Sequence, residues 1–211
     1  WGWRMLWLTK ALDHQILPHG DDWSIWLMLA GRGAGKTRTA AEQIAWWAWS
    51  YKATRWLVSA PTSSDVRGTC FEGDSGLLNV IPPVLVADYN KALHELRLTN
   101  GSLIKGIPAS EPERFRGPQF HGGWCDELAA WEYIQDSWDQ IQFGMRLKLQ
   151  TMKTRIIVTT TPHRLQLQAH AELDLVPAIL NVLPSCQLIE PATMKLWTPE
   201  TLRLRGRYTL D

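Results

Sequence analysis

The chain has 211 residues, a formal net charge of +1, 45% apolar residues and 20% charged residues. This composition excludes an intrinsically disordered protein and fits one ordinary domain with an extension, or two small domains. No apolar run approaches the roughly 18 residues of a membrane span, and no segment resembles a signal peptide. Cys70, Cys125 and Cys186 lack CxxC spacing, which predicts a reducing compartment without a zinc site or disulfide framework.

The first predicted elements flank a glycine-rich loop. Apolar spacing within residues 1–22 predicts a short amphipathic helix, which the Pro18–Asp22 segment ends. The apolar run Ile25–Ala30 predicts a buried strand, and apolar residues at helical spacing predict a helix over 37–51. Most of the 13 tryptophans are expected to fill the core, the alternative being aromatic platforms for nucleic-acid bases.

The middle of the chain predicts strands. Arg55–Ala60 predicts a strand with the apolar run Trp56-Leu57-Val58, and Pro61 ends it. Residues 62–92 are mixed, with turn signals. Leu93–Ile107 predicts a hairpin, because alternating residues flank an Asn100-Gly101 turn. Residues 110–119 predict a charged, proline-rich loop.

The last predicted elements complete an alternating pattern. A helix is expected directly after Glu127, a second over 136–148, and a buried strand over Thr154–Thr160. Strands that alternate with helices predict an α/β fold, with a mostly parallel central sheet and helices on both faces.

A phosphate-binding loop is predicted between the first strand and the following helix. The usual pattern is G-x-x-x-x-G-K-[ST], and here Ala30 replaces the first glycine. The backbone N–H groups and the helix N-terminus would hold an anion. Lys36 would reach the β- and γ-phosphates of ATP, and the Thr37 hydroxyl would ligate Mg²⁺. The predicted ATP-binding residues are Gly31, Arg32, Gly33, Ala34, Gly35, Lys36 and Thr37. The alternative is a flexible glycine loop between two elements.

Adjacent carboxylates follow the candidate strand that ends at Cys125. Hydrolysis needs a carboxylate that orients the metal and a group that activates water. We assign Asp126 to Mg²⁺ and Glu127 to general-base catalysis. The alternative is an exposed acidic pair without a catalytic role.

Three arginines are candidates for stabilising charge on the transferred phosphoryl group. Arg32 lies inside the glycine-rich loop and would act within its own subunit. Arg114 and Arg116 lie in the loop before the acidic pair, from which they would reach a neighbouring subunit's nucleotide. Ordinary loop charges are the alternative for both.

Two further groups of residues complete the predicted site. Gln15 lies upstream of the first strand, where an amide can read the adenine edge, although an exposed glutamine is at least as good an interpretation. Thr159, Thr160 and Thr161 follow a buried strand and would sense the γ-phosphate or the attacking water. A threonine run at a strand end can also reflect β-propensity alone.

These motifs as a set resemble the ATPase domain of the large terminase subunit, the DNA-packaging motor of tailed phages and gene transfer agents. Order and spacing agree from about Gln15 to Pro162. The segments that carry the resemblance are AGRGAGKTRTAAE at 30–42, RGPQ at 116–119, CDELA at 125–129 and TTTP at 159–162.

The resemblance implies a P-loop NTPase of the additional-strand, catalytic-glutamate type. It implies that Gly31 to Thr37 form the Walker A loop and that Arg32 is its internal arginine. Asp126 would be the Walker B carboxylate, Glu127 the catalytic glutamate and Thr159 to Thr161 the motif that couples hydrolysis to movement. Arg116 would be an arginine finger that acts across subunits.

The resemblance also implies partners: double-stranded DNA, a portal protein, a small terminase subunit and further copies in a homo-oligomeric ring, in the cytoplasm of a bacterial host without membrane attachment. We expect an ATPase domain over 1–164 and a divergent tail over 165–211, with no room for the family's nuclease domain. Two alternatives stay open: a catalytically idle prophage remnant that binds nucleotide, and another nucleic-acid-translocating P-loop ATPase. A common helicase needs a second motor lobe that the tail cannot hold.

Overall fold

The structure, a computed structural model, describes residues 2–18, 20 and 23–161, together with the backbone of two strands at 186–189 and 196–197. Its helices are α1 (Gly2–Leu8), α2 (Lys36–Ser50), α3 (Ser63–Asp65, which continues as a π-turn over Val66–Phe71), α4 (Leu77–Val80) and α5 (Ile134–Gly144). Short 3₁₀ turns lie at Asp13–Gln15, Pro83–Leu85, Pro112–Phe115 and Leu128–Ala130. None of the helices in these residues combines the length and apolar character that crossing a bilayer requires.

The strands form one sheet. They are β1 (Ile25–Leu29), β2 (Arg55–Ala60), β3 (Val86–Asn90), β4 (Glu95–Leu98), β5 (Leu103–Pro108), β6 (Gly122–Cys125), β7 (Arg155–Thr160), β8 (Cys186–Ile189) and β9 (Leu196–Trp197). Their order is β3-β4-β5-β2-β6-β7-β1-β8-β9.

The centre of this sheet is parallel, as predicted. Strands β5, β2, β6, β7, β1 and β8 all run in one direction, whereas β3, β4 and β9 pair antiparallel near the edges. Strand β7 lies between β1 and β6, which is the additional strand that the predicted fold class requires. The carboxyl ends of the parallel strands meet at one edge of the sheet, where ligand sites of such folds lie.

A separate apolar core covers each face of the sheet. On one face, α2 packs Ala40, Ile44 and Trp47 against the strands, and Trp47 stacks on Trp56 with ring centroids 5.4 Å apart. On the other face, α5 contributes residues such as Trp138 to the core. Strand β7 is buried along its whole length, because it has paired strands on both sides and a core on each face.

The predicted hairpin is confirmed as β4 and β5, and its turn also anchors α2. Only Gly101 of the predicted turn pair has a positive φ, at +87°. Asn100 acts instead through its side chain: Nδ2 donates to the carbonyl oxygens of Ala48 and Trp49 at 2.8 and 2.9 Å. These carbonyls lie at the C-terminus of α2, where helical partners are lacking.

The helix predicted directly after Glu127 is wrong. The chain there forms only a 3₁₀ turn over Leu128–Ala130, since Glu127 adopts a left-handed conformation with φ +47°. The Ala129 N–H donates to the Thr160 hydroxyl, and Trp131 Nε1 donates to the Asp126 carbonyl. These hydrogen bonds hold the segment against the sheet edge and replace the i to i−4 hydrogen bonds of an α-helix.

Other boundaries also differ from prediction. Helix α5 begins at Ile134 and ends at Gly144 rather than spanning 136–148, because the Gly144 carbonyl accepts from the Phe120 N–H and the chain then pairs with that segment. Helix α1 ends at Leu8, and the mixed 62–92 stretch contains α3, α4 and β3. Strand β3 escaped prediction because it is a partly exposed edge strand without a clear apolar alternation.

The predicted domain boundary at 164 lies outside the described residues and stays a prediction. Two strands within the predicted tail are described, and β8 pairs in parallel with β1, with Ile25 opposite Cys186. The backbone of this part of the tail therefore extends the central sheet.

Candidate active site

The glycine-rich loop joins the carboxyl end of β1 to the first turn of α2. Gly33 and Gly35 have φ of +81° and +76°, in the left-handed region that favours glycine. A Cβ at Gly31 or Gly33 would meet no atom within 4 Å, so the backbone there faces open space that a ligand can enter. Ala30 is not among the residues with positive φ, which explains why this position tolerates alanine in place of glycine.

Lys36 is buried and bridges the loop to the end of β7. Its Nζ donates to the carbonyl oxygens of Ala30 and Gly31 at 2.8 and 3.1 Å, and to the Thr161 hydroxyl at 2.9 Å. Burial lowers the pKa of the Lys36 ammonium, while Glu127 and then Asp126 oppose that shift. The predicted phosphate-binding lysine is thus held at the mouth of the loop with acidic groups beside it.

Asp126 presents a buried carboxylate at the end of β6. Its side chain is held by the Thr159 hydroxyl, which donates to Oδ1 at 2.6 Å, and its backbone N–H donates to the Ser59 carbonyl of β2 at 2.7 Å. Burial raises the pKa of this carboxyl to about 6, although the Thr159 hydrogen bond works in the opposite direction. A cation bound beside such a buried carboxyl would favour its ionised form.

Glu127 turns away from the path of β6 and contacts the end of β7. Its left-handed backbone, with φ +47°, is uncommon for a residue with a long side chain. Oε1 accepts from the Thr161 hydroxyl at 2.6 Å and Oε2 from the Thr161 N–H at 2.9 Å. Lys36 Nζ lies 3.8 Å from Oε1. The lysine, the glutamate and Thr161 therefore form one contiguous polar cluster.

Each threonine of the predicted coupling run makes a specific contact. Thr159 bonds Asp126, Thr160 accepts from the Ala129 N–H at 3.1 Å, and Thr161 bonds both Glu127 and Lys36. This pattern goes beyond β-propensity, because all three hydroxyls bond the segments that carry the predicted catalytic residues.

Sequence reasoning missed two side chains at this site. Trp124 Nε1 donates to the Thr159 hydroxyl at 3.0 Å, so Trp124 orients the group that bonds Asp126. His14 Nε2 lies 3.2 Å from the Ala34 carbonyl of the glycine-rich loop. Trp124 could have been found from its place two residues before Asp126 on the same strand, whereas His14 had no comparable signal.

Gln15 also packs against the glycine-rich loop. Its Nε2 lies 3.4 Å from the Ala34 carbonyl, and a Cβ on Gly35 would collide with the Gln15 amide. The residue is therefore half-buried at the loop rather than free in solvent. Its predicted role in reading adenine stays a prediction.

The candidate arginines lie apart from this cluster or at its exposed edge. Arg32 is exposed within the loop. Arg116 follows β5 and forms an exposed ion pair with Glu113 at 3.4 Å, and Arg114 pairs with Glu111 at 3.4 Å. Strand β5 lies four strand positions from β1, about 19 Å at about 4.8 Å per strand. Within the described residues, the ion-pair partner of Arg116 is Glu113 rather than a residue of the glycine-rich loop.

Thr37 and Asp126 stay the predicted magnesium ligands, and both offer the oxygen donors that Mg²⁺ prefers. Thr37 follows Lys36 at the start of α2 and is partly exposed. No group of three or more His, Cys, Asp or Glu side chains within the described part of the chain could hold a metal by itself. Mg²⁺ commonly takes one or two protein ligands beside phosphate oxygens and water, so this small donor set suits a metal that enters with nucleotide.

Comparisons with known proteins identify the family. The model described as "Terminase large subunit, T4likevirus-type, N-terminal" matches residues 27–168, which is more than half of the chain and contains most of the site. The chain belongs to this large terminase family. A search of curated proteins finds no match.

Solved large terminases share the fold. The large terminase of a thermophilic bacteriophage matches with a TM-score of 0.55 and 13% identity, over 98% of this chain and 49% of that one. The complex of that phage terminase with ADP matches with a TM-score of 0.54 and 16% identity, over 81% and 41%. The large terminase of bacteriophage HK97 matches with a TM-score of 0.51 and 15% identity, over 75% and 32%. The chain thus spans about half the length of these solved terminases, or less.

Proposed function

We propose that this chain is the ATP-hydrolysing motor domain of a large terminase, and that hydrolysis drives double-stranded DNA into a procapsid. The observation that carries the proposal is the polar cluster of Lys36, Glu127 and Thr161 beside the glycine-rich loop, with hydrogen bonds of 2.6 to 2.9 Å through Thr161. It unites a phosphate-binding lysine, a candidate base and the end of the coupling strand.

Nucleotide binding is the first proposed role of the loop. The N–H groups of residues 31–37 and the N-terminus of α2 would hold the phosphates, with Lys36 exchanging its contacts to the Ala30 and Gly31 carbonyls for phosphate oxygens. Thr37 and Asp126 would hold Mg²⁺, which when bound neutralises charge on the phosphate oxygens. Arg32, exposed in the same loop, would add positive charge from within the subunit.

Glu127 is the proposed general base. A carboxylate at the loop mouth can accept a proton from the attacking water, and Thr161 presently occupies both of its oxygens. The same strand end bonds Asp126 through Thr159. A change at either carboxylate would therefore alter hydrogen bonds at the end of β7. This supports Thr159, Thr160 and Thr161 as the coupling segment.

The proposed partners follow from the family. They are double-stranded DNA, a portal protein, a small terminase subunit and further copies of this chain in a ring, in the cytoplasm of a bacterial host. Arg116 is the proposed arginine finger across subunits. In support, its side chain is exposed and its loop follows β5, which lies four strand positions from β1.

The test is steady-state ATP hydrolysis with and without double-stranded DNA, together with a nucleotide-binding assay. We expect Lys36→Ala to lose binding and turnover, since it removes the buried ammonium that contacts the loop and would bind the phosphates. We expect Glu127→Gln to keep nucleotide binding but to lower kcat by about 10²- to 10⁴-fold, the range for a lost general base. The control is Glu132→Gln, an exposed carboxylate five residues along, with unchanged turnover.

The outcomes separate the alternatives. Binding without turnover in the unaltered chain would support an idle nucleotide-binding protein and overturn the proposed hydrolysis by this chain. Full turnover in Glu127→Gln would overturn its role as base. Binding that survives Lys36→Ala would contradict the proposed phosphate site.

A further inference from the structure

The chain turns sharply where β6 ends, at Glu127. This residue has a left-handed backbone with φ +47° and ψ +49°, a conformation that costs free energy when the residue carries a Cβ. Such strain persists only where the surrounding contacts oppose its release. The contacts around Glu127 therefore decide where its carboxylate lies.

Rotation of the peptide that joins Asp126 to Glu127 would relieve this strain. A half-turn of that peptide changes ψ of Asp126 and φ of Glu127 together, and it moves Glu127 to a negative φ in the broad region that most residues adopt. The same rotation would reverse the direction of the Asp126 carbonyl, because the peptide is planar. A hydrogen bond that holds this carbonyl in its present direction therefore favours the left-handed conformation of Glu127.

Trp131 donates such a hydrogen bond. Its Nε1 lies 2.9 Å from the Asp126 carbonyl oxygen, because the 3₁₀ turn over Leu128–Ala130 returns the chain to this point. The ring is 4% exposed and belongs to the core that α5 covers, so close packing keeps the indole from following the carbonyl if the peptide rotates. One hydrogen bond contributes a free energy of the same order as the backbone strain.

Other hydrogen bonds hold the backbone on either side of this peptide. The Asp126 N–H donates to the Ser59 carbonyl at 2.7 Å, and the Ala130 N–H donates to the Glu127 carbonyl at 2.8 Å. These bonds fix the flanking peptides, but neither reaches the carbonyl that would reverse. The hydrogen bond from Trp131 is the contact that opposes the rotation directly.

We propose that Trp131 is a positioning residue for Glu127: its indole N–H holds the preceding peptide in the arrangement that directs the Glu127 carboxylate to the end of β7. There the carboxylate accepts from the Thr161 hydroxyl and N–H at 2.6 and 2.9 Å. The position of the carboxylate does not depend on the proposed function, whereas the catalytic consequence rests on it.

The catalytic consequence follows from the bonds that Glu127 makes. Thr161 occupies both carboxylate oxygens, so these bonds must break before Glu127 accepts a proton from water. The indole bond is made to the backbone and does not involve the carboxylate. Trp131 therefore holds the backbone of the general base during the step in which Thr161 releases its side chain.

The test removes the indole N–H and keeps a buried aromatic ring. Trp131→Phe should speed hydrogen exchange of the Thr161 amide by roughly 3- to 10-fold, the equivalent of one hydrogen bond, because the carboxylate that this amide bonds is then held less well. NMR of the isotope-labelled full chain measures the exchange. Trp138→Phe is the matched control and should leave the Thr161 exchange unchanged. Trp138 is 2% exposed in the same core, and its ring nitrogen donates to no described residue.

Turnover is a second readout. We expect Trp131→Phe to lower kcat by roughly 3- to 10-fold and to leave the KM for ATP unchanged, because the contacts of Lys36 with the glycine-rich loop are retained. Trp131→Phe combined with Glu127→Gln should turn over as fast as Glu127→Gln alone, since the indole acts through that carboxylate.

Each readout can overturn the inference. Thr161 exchange that is unchanged in Trp131→Phe would do so, as would a further fall in turnover when Trp131→Phe is added to Glu127→Gln. An indole N–H of Trp131 that exchanges freely in the unaltered chain would also exclude it, and this measurement decides the question if Trp131→Phe does not fold. Faster Thr161 exchange in Trp131→Phe, with no ATP hydrolysis by the unaltered chain, would leave the positioning role standing while the proposed function fails.

Discussion

At the residue scale, the ionised form of Asp126 that would bind a metal is also the form that lowers the stability of the fold. Its carboxyl is 3% exposed, and burial raises its pKa from 3.8 to about 6. The folded state therefore binds this proton more tightly than the unfolded state. The contribution of Asp126 to the free energy of unfolding is fully present below about pH 4 and is lost as the pH rises through about 6. A pKa difference of that size corresponds to about 3 kcal/mol. An ionised Asp126 destabilises the fold, yet it is the form that a metal needs.

We therefore expect Asp126→Asn to raise the free energy of unfolding by about 1–3 kcal/mol near pH 8, because the amide removes the buried charge while its oxygen still accepts from Thr159. Near pH 5 the difference from the unaltered chain should shrink markedly. Urea denaturation at both pH values measures it.

The control for this prediction is Asp88→Asn at an exposed position, where no such stabilisation is expected. A loss of stability near pH 8 in Asp126→Asn would contradict the argument from burial. ATP turnover should fall in the same variant, because the proposed metal ligand is lost.

At the element scale, β6 positions both candidate carboxylates and is unusually crowded. A Cβ on Gly122 would lie 2.5 Å from the Arg155 carbonyl oxygen and 2.8 Å from the Trp56 ring. On Gly123 it would lie 3.0 Å from Leu57 Cβ. Glycine here allows neighbouring strands and a tryptophan to approach the backbone, which also explains why this strand looks weakly apolar in the sequence.

Gly122→Ala is expected to destabilise the protein by about 1–3 kcal/mol or more, since the methyl group meets backbone and a rigid ring rather than a flexible side chain. Thermal unfolding measures the loss. Gly68→Ala is the matched control, because its Cβ would meet nothing within 4 Å and its φ is not positive. Equal stability of the two variants would contradict the crowding argument.

At the scale of the whole molecule, the exposed Arg116 is proposed to act on a second copy. Its loop follows β5, which lies four strand positions from β1, about 19 Å. Arg116 is exposed and forms an ion pair with the exposed Glu113, and ion pairs of this kind contribute little to stability. Its removal should affect turnover without affecting folding.

We expect Arg116→Ala to lower kcat by about 10³-fold or more, the scale of a lost arginine finger, with an unchanged melting temperature. A mixture with Glu127→Gln tests the action across subunits. Each variant is inactive alone, but the Arg116 of one complements the Glu127 of the other, so about a quarter of the sites recover in a randomly mixed head-to-tail assembly.

Arg97→Ala is the control for that experiment, because Arg97 is similarly exposed and similarly paired, with Glu95 at 3.1 Å. No recovery in the mixture, although both variants assemble, would exclude action across subunits. Full activity of Arg116→Ala would exclude the residue altogether.

The amino-acid sequence by itself determined the features that depend on neighbours along the chain. Local patterns predict the strand before the glycine-rich loop, the left-handed glycines of that loop and the β4–β5 hairpin. They also predict the alternation of strands and helices that makes the sheet mostly parallel. The 3₁₀ turn after Glu127 could not be predicted, because the Ala129 N–H bonds to Thr160 on β7, a strand that is remote in the sequence.

Only the tertiary structure decided which of the candidate residues meet. The parallel pairing of β6 with β7 carries Thr159 to Asp126 and Thr161 to Glu127, and the sheet order separates β5, which precedes the Arg116 loop, from β1, which precedes Lys36. The physical reason is that strand order and burial are set by the packing of the whole sheet, whereas motif spacing reports only positions along one chain segment.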